Sequence, residues 1–339
     1  MAESIDLVYT WCDAADDTWR TKKDATAQAW GLTARSRGNA ACRFAGNDEI
    51  RYALRSAERC VPWVRCVHLV IDDDITPPRW LRLDHPKLHL VRLSEIMPAE
   101  RLPCFCSGTI EHHLPNIPDL AARFIYSNDD CLFFRPLTPR FFFARDGYPY
   151  FRFGGVRHPT PEEREANLNY NCNLEAAERL IRAAYPHPND DLAAALERYP
   201  HHGIDAYVTD DARACFSRFE AALAPTFKMP FRTPDKVQRA LYAFDALARG
   251  HGHFRRARFY LQKRRRWYKE LLWPSYADSL QFYGERWKTG LDDLARFRPG
   301  VFCFNDTETV TDADRRWLRS VYERLLPVCS SFEKAEAAE

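Results

Sequence analysis

The sharpest local feature of the chain is a pair of adjacent carboxylates, Asp129 and Asp130, preceded by Asn128 and delivered by the apolar run RFIYS. Two neighbouring acids at a strand end repel each other unless a cation or a base lies between them. Mg²⁺ favours one or two protein carboxylates together with phosphate oxygens, which a nucleotide diphosphate would supply. The plainer reading is a solvated turn. Near the other end, VFCF delivers Asn305 and Asp306 to a loop in the same manner, where a turn or helix cap is the plainer reading. RFAGNDEIRYALRS brings together Arg43, Asn47, Glu49 and Arg51. Guanidinium groups grip phosphate in bidentate fashion, although an amphipathic helix with surface ion pairs also accounts for these residues. His202 lies in a loop after YP, and Arg232 in KMPFRTPDK. An imidazole trades protons near neutrality and a guanidinium stabilises phosphoryl charge, but a lone histidine is more often structural.

These side chains need elements to hold them. IDLVYTW (5–11), VRCVHLVID (64–72), KLHLVRL (87–93) and RFIYSNDD (123–130) read as strands from their β-branched and apolar runs. Asn47 and Asp48 can cap a helix over roughly 48–60, with Ile50, Leu54 and Ala57 on one face. This alternation predicts an α/β core over 1–154 with a mostly parallel twisted sheet flanked by helices. Ligands bind such sheets beyond the carboxyl ends of the strands, and three of those ends carry Asp13, Asp72 and Asp129–Asp130. Residues 155–200 read as an insertion. Residues 201–339 read as a mainly helical part, with 300–308 returning to complete the site. HGHFRRARFYLQKRRRW (251–267) is basic and aromatic, which suits a solvated helix face or contact with an anionic polymer or a membrane surface.

The composition bounds these readings. With 339 residues, 46% hydrophobic and 28% charged, the chain has enough apolar content for a full core. A net charge of +2 gives no global drive toward nucleic acid. Eleven cysteines without a CxxC pair point to reduced thiols rather than a zinc module or disulfide framework. No leader pattern opens the sequence and no run of apolar residues is long enough to span a bilayer. The expectation is therefore a cytoplasmic protein, with room for peripheral association at the inner face of the membrane.

Four blocks in order resemble the Stealth family, which includes bacterial capsule polymerases and the catalytic subunit of the lysosomal-enzyme N-acetylglucosamine-1-phosphotransferase. The first is IDLVYTWCDAADDTW (5–19). The second runs from RFAGNDEIRYALRS through RFIYSNDDCLFFRPLTPRFFF (43–143). The third joins HHGIDAYV (201–208) to KMPFRTPDKVQRALYAF (228–244), and the fourth joins VFCFNDTE (301–308) to LLPVCSSFEK (325–334). The resemblance implies a nucleotide-sugar transferase-like fold whose helical C-terminal part completes the active site. It implies transfer of a hexose-1-phosphate from a UDP-sugar to a carbohydrate hydroxyl with release of UMP, the acceptor being a glycan that includes phosphodiester-linked polymers. It also implies Mg²⁺ or Mn²⁺ at Asp129, Asp130 and Asp306. His202, Arg232 and Asp130 take catalytic roles, and Asp13, Arg43, Asn47, Glu49, Arg51, Asn128 and Asn305 contact substrate. Three positions depart from the family pattern: Ala14 replaces a glycine, Ala45-Gly46 replaces an acidic position, and Cys106-Ser107 replaces Asn-Ser. The rival readings are a metal-dependent glycosyltransferase that releases UDP and a non-catalytic nucleotide-sugar or carbohydrate-binding protein.

Overall fold

A computed structural model describes residues 4–33, 36–157, 159–257, 259–260 and 278–335. The apolar runs form strands β1 (Ile5–Thr10), β2 (Val67–Ile71), β3 (Leu88–Arg92) and β4 (Arg123–Asn128). After a two-residue turn the chain enters β5 (Cys131–Phe133), and later β6 (Tyr150–Val156), β7 (Arg198–Pro200) and β8 (Asp205–Val208). The last strands are β9 (His253–Arg256), β10 (Phe259–Tyr260), β11 (Ser279–Tyr283) and β12 (Val301–Asn305). The main sheet has the order β3-β2-β1-β4-β8, parallel except for β8. A second sheet runs β10-β11-β12-β5, and a third β7-β6-β9.

A strand that is apolar on both faces must be covered on both faces. In β1, Leu7 and Tyr9 pack on one side, with α1 (Asp17–Ala29) and α2 (Glu49–Cys60) supplying Trp19, Ile50 and Leu54. Val8 packs on the other side in a core that includes Leu174 and Ile181 of the helix Leu168–Ala184. The result is a helix–sheet–helix sandwich. A third core, around Phe282, Phe302, Phe304 and Tyr322, joins the second sheet to the helix Asp312–Leu325.

The stretch from 201 onward, expected as mainly helical, also supplies β8 to the main sheet and most of the second sheet. Short strands such as HFRR and VFCFN are too brief for periodicity to separate them from helix. The insertion contributes three helices among the described residues, Pro161–Ala166, Leu168–Ala184 and Asp190–Leu196. Asp48 does stand at the start of α2, but in a left-handed conformation (φ 60°), and its side chain makes no capping bond. Instead Glu49 turns back and accepts hydrogen bonds from the Asn47 backbone and side-chain N–H groups. Of the basic stretch 251–267, residues 258 and 261–267 lie outside the described residues. Among the described residues no helix is long and apolar enough to cross a membrane.

Candidate active site

β1 is followed by β2 and β3 on one flank and by β4 on the other, so the strand order reverses between β1 and β4. A crevice opens at such a reversal beyond the carboxyl ends of the strands. Thr10 stands in register with both Val70 and Asn128, which aligns three strand ends. Asp13 follows β1, Asp72 follows β2, and Asp129 and Asp130 follow β4. The Asp13 carboxylate accepts from the Ala15 backbone N–H at 2.8 Å and tightens its loop. Asn128 Oδ1 accepts from the Tyr126 hydroxyl at 2.8 Å, and that hydroxyl lies 3.0 Å from Thr10 Oγ1.

Carboxylates crowd this edge. Burial pushes Asp129 well above the usual carboxylate range, and the charges of Glu49 and Asp130 push it further. Glu49 rises to about 7, chiefly through burial, against the hydrogen bonds from Asn47 and with help from Asp130. Cys12 lies among them: burial first, then Asp129, Asp13, Glu49 and Asp72, raise its thiol. Among the described residues, only Asp72 of this group has a cation paired with it, Lys22, which also pairs with Asp74 at 2.7 Å. Carboxyls gathered at one strand edge are a set of oxygen donors suited to a hard divalent ion.

His202 enters from the loop ahead of β8. Because β8 runs antiparallel to β4, with Asp205 opposite Tyr126, the start of β8 meets the carboxyl end of β4. Arg239 fixes this junction by donating to Asp205 at 2.8 Å and to Glu111 at 3.1 Å. Gly203 is required there, since a Cβ would stand 2.2 Å from the His201 ring. Burial beside Arg152 lowers His201 to about 3. His202 is also lowered by burial, with Asp130 pulling the other way, so its imidazole is neutral at physiological pH. Its Nε2 is buried without a hydrogen-bond partner. One donor atom from each of Asp130, Cys131, His202 and Cys303 lies within 4.8 Å of the others.

The arginines divide into two kinds. Arg232 donates to Ser107 Oγ at 2.7 Å, and Arg43 Nε donates to the Arg37 carbonyl at 2.6 Å. Desolvation and then the Arg232 charge lower the Arg43 pKa, although its outer face stays open to solvent. Neither forms an ion pair with an acid among the described residues. Gly38 lets their loops meet, because a Cβ there would stand 2.3 Å from the Arg232 carbonyl oxygen. Two neighbouring guanidiniums with no acid partner suit a diphosphate. Arg51, expected at the substrate, is instead bound at 2.5 Å by Glu333 and lies over the Trp80 ring at 5.5 Å. Glu333 also holds Arg55 at 2.7 Å, so these arginines fasten the C-terminal segment to α2.

Asp306 is likewise paired within the chain. Its carboxylate accepts from Arg315 at 2.7 Å and is not among the four clustered donors. The Asn305 side-chain amide donates to Cys303 Sγ at 3.3 Å and so steadies that thiol. Sequence reasoning missed Cys131, Cys303, Glu111, Asp205 and Arg239. The two cysteines carried a signal, since each sits beside an Asn-Asp motif. The Glu111–Arg239–Asp205 bridge carried none, because its members are far apart in sequence.

Residues 43–151 match the family described as Stealth protein CR2, conserved region 2. An exopolysaccharide phosphotransferase of Streptomyces coelicolor is 32% identical over 341 residues, covering 98% of this chain and 53% of that protein. The exopolysaccharide phosphotransferase CpsY of Mycobacterium tuberculosis is 29% identical over 340 residues, covering 98% of this chain and 58% of that protein. The chain thus spans little more than half the length of these relatives. Among solved structures, the galactosyltransferase LgtC in complex with donor and acceptor sugar analogs aligns over 98% of both chains at 12% identity, with a TM-score of 0.43, too loose a likeness to argue from.

Proposed function

The chain belongs to the Stealth family, and from that premise we propose that it transfers a hexose-1-phosphate from a UDP-sugar to a carbohydrate hydroxyl in cell-surface polysaccharide synthesis. The observation that carries this reading is the meeting of a carboxylate-rich strand edge with a neutral histidine at one crevice. A nucleotide-sugar diphosphate needs countercharge, and an attacking hydroxyl needs a proton acceptor.

In this reading Arg43 and Arg232 bind the diphosphate oxygens and neutralise charge as it builds. Asp129 and Asp130 would hold Mg²⁺ or Mn²⁺, which when bound supplies positive charge to the diphosphate. The burial of Asp129 beside Glu49 and Asp130, which raises it, is the feature that fits such an ion. His202, neutral and with Nε2 unpartnered, takes the proton of the acceptor hydroxyl as its oxygen attacks the phosphorus next to the sugar. UMP leaves, and the sugar C1–O bond stays intact, so anomeric configuration is retained. Asp13 and Asn128 line the crevice as substrate contacts, and Glu49 with Asn47 shapes its wall. The reaction would take place on the cytoplasmic side of the membrane, where UDP-sugars and reduced thiols occur together.

Incubation of the protein with a panel of UDP-sugars, Mg²⁺ and glycan acceptors, read by chromatography, tests this. UMP with a phosphodiester product is the expected result. UDP with a glycoside would make the protein a glycosyltransferase, and bound UDP-sugar without nucleotide release would make it a binding protein.

A further inference from the structure

We propose that Asp130, Cys131, His202 and Cys303 form a four-ligand site for a borderline divalent ion of the zinc type, and that filling it switches off the transfer site. The switching-off rests on the function proposed above; the metal site does not. Asp130 and Cys131 come from the turn between β4 and β5. Cys303 stands directly opposite Cys131 in the antiparallel pairing of β12 with β5. His202 reaches in from the loop ahead of β8. Three distant stretches of chain thus deliver one oxygen, one nitrogen and two sulfurs to a space where the donors lie within 4.8 Å of one another.

The donor types select the ion. Mg²⁺ takes oxygen ligands and has no use for two thiols. Zinc and cobalt take sulfur and imidazole readily, most often four-coordinate and tetrahedral. With Zn–S at about 2.3 Å and Zn–N at about 2.0 Å, tetrahedral ligand atoms stand roughly 3.3–3.8 Å apart, so the cluster has to close by about 1 Å. The unpartnered Nε2 of His202 is a second observation that points to a ligand, since a buried ring nitrogen without a hydrogen bond is costly. Nothing in the transfer reaction needs a pair of thiols. On loading, Cys131 and Cys303 each give a proton to solvent and bind as thiolates, Asp130 binds as carboxylate, and His202 binds through a lone pair. That lone pair is then closed to the acceptor proton, and the Asp130 carboxylate is closed to Mg²⁺.

Cobalt(II) added to the metal-free chain reads the site without any substrate. The expected result is one Co²⁺ per chain with visible bands of tetrahedral cobalt and a near-ultraviolet thiolate charge-transfer band. Cys131→Ser and Cys303→Ser should each weaken the charge-transfer band, and the double variant should lose it, while Cys329→Ser keeps it. An octahedral spectrum without a thiolate band in the native chain would overturn the site, whether or not the variants fold. Native enzyme releasing UMP in excess Mg²⁺ should lose at least tenfold in rate with one equivalent of Zn²⁺ and regain it with chelator. Undiminished UMP release by zinc-loaded enzyme would overturn the switch. A thiolate-bound cobalt spectrum in a protein that releases no UMP from any sugar would uphold the site and reject the function.

Discussion

The main sheet holds buried carboxyls at both of its ends, and the two ends treat them in opposite ways. At the amino end of β1, Asp6 is fully enclosed. Burial alone would raise its pKa, but Arg65, His68 and the Ala121 backbone N–H outweigh it and hold the group at about 2. The Arg65 Nε and Ala121 N–H donors lie at 2.8 Å, and His68 Nε2 at 3.0 Å. At the carboxyl end, burial first and neighbouring carboxylates second raise Asp129 and Glu49, and among the described residues neither is paired with a cation. Asp6 is completed by the protein, whereas the other end awaits something from outside it. A buried acid satisfied by its own chain serves the fold, and one left among like charges marks a place for a ligand.

This contrast is testable at each end. The largest expected effect is at the carboxyl end: His202→Ala and Asp130→Ala should each lower turnover by at least about 10²-fold, the range seen for a lost proton acceptor, with unchanged circular dichroism. Near-normal turnover in folded variants would erase the distinction between the ends. At the amino end, Asp6→Ala should cost about 3 kcal/mol of stability in urea unfolding, because it strands a buried His68 and part of Arg65. Its turnover per folded molecule should stay near normal. A smaller effect separates the arginines. Arg232→Ala should raise the KM for a UDP-sugar by about tenfold, as expected for one lost charge-assisted contact. Arg51→Ala should leave KM alone and lower the melting temperature, since Arg51 is tied to Glu333.

How much of this was legible in the sequence follows from how local each signal is. Three of the main strands, β1, β2 and β4, are visible as apolar runs with acidic ends, because a strand buried on both faces leaves a continuous mark. The strand-end acids Asp13, Asp72, Asp129 and Asp130 are legible for the same reason. The Arg51–Glu333 pair was not legible, because an arginine on a helix face reads the same whether it meets phosphate or a carboxylate distant in sequence. The Asp306–Arg315 pair was hidden likewise, Arg315 sitting on the next helix. Cys131 and Cys303 became a pair only through the antiparallel register of β5 and β12, a fact of topology that no short window contains.

The smallest effect is also the most discriminating, because the two ends should respond to pH with opposite sign. Asp6 has a folded pKa of about 2 against an ordinary value of 3.8, so its contribution is complete above that value and is lost as pH falls toward 2. Glu49 has a folded pKa of about 7 against 4.5, so the folded state holds the extra proton between these values. Its contribution is complete below 4.5 and is lost as pH rises through 7. The Glu49 contribution to the stability of the metal-free protein should therefore decline between pH 4.5 and 7 by no more than about 1.4 kcal/mol per pH unit, the slope for one proton, and Asp129 adds a decline of the same sign. Glu49→Gln keeps the shape and removes that titration, so urea midpoints of the variant should fall less steeply across that window than those of the native chain, while the fall below pH 4 persists. If the variant keeps the full native slope, Glu49 is not where the strain of the carboxyl end resides, and the opposition between the two ends rests on Asp129 alone.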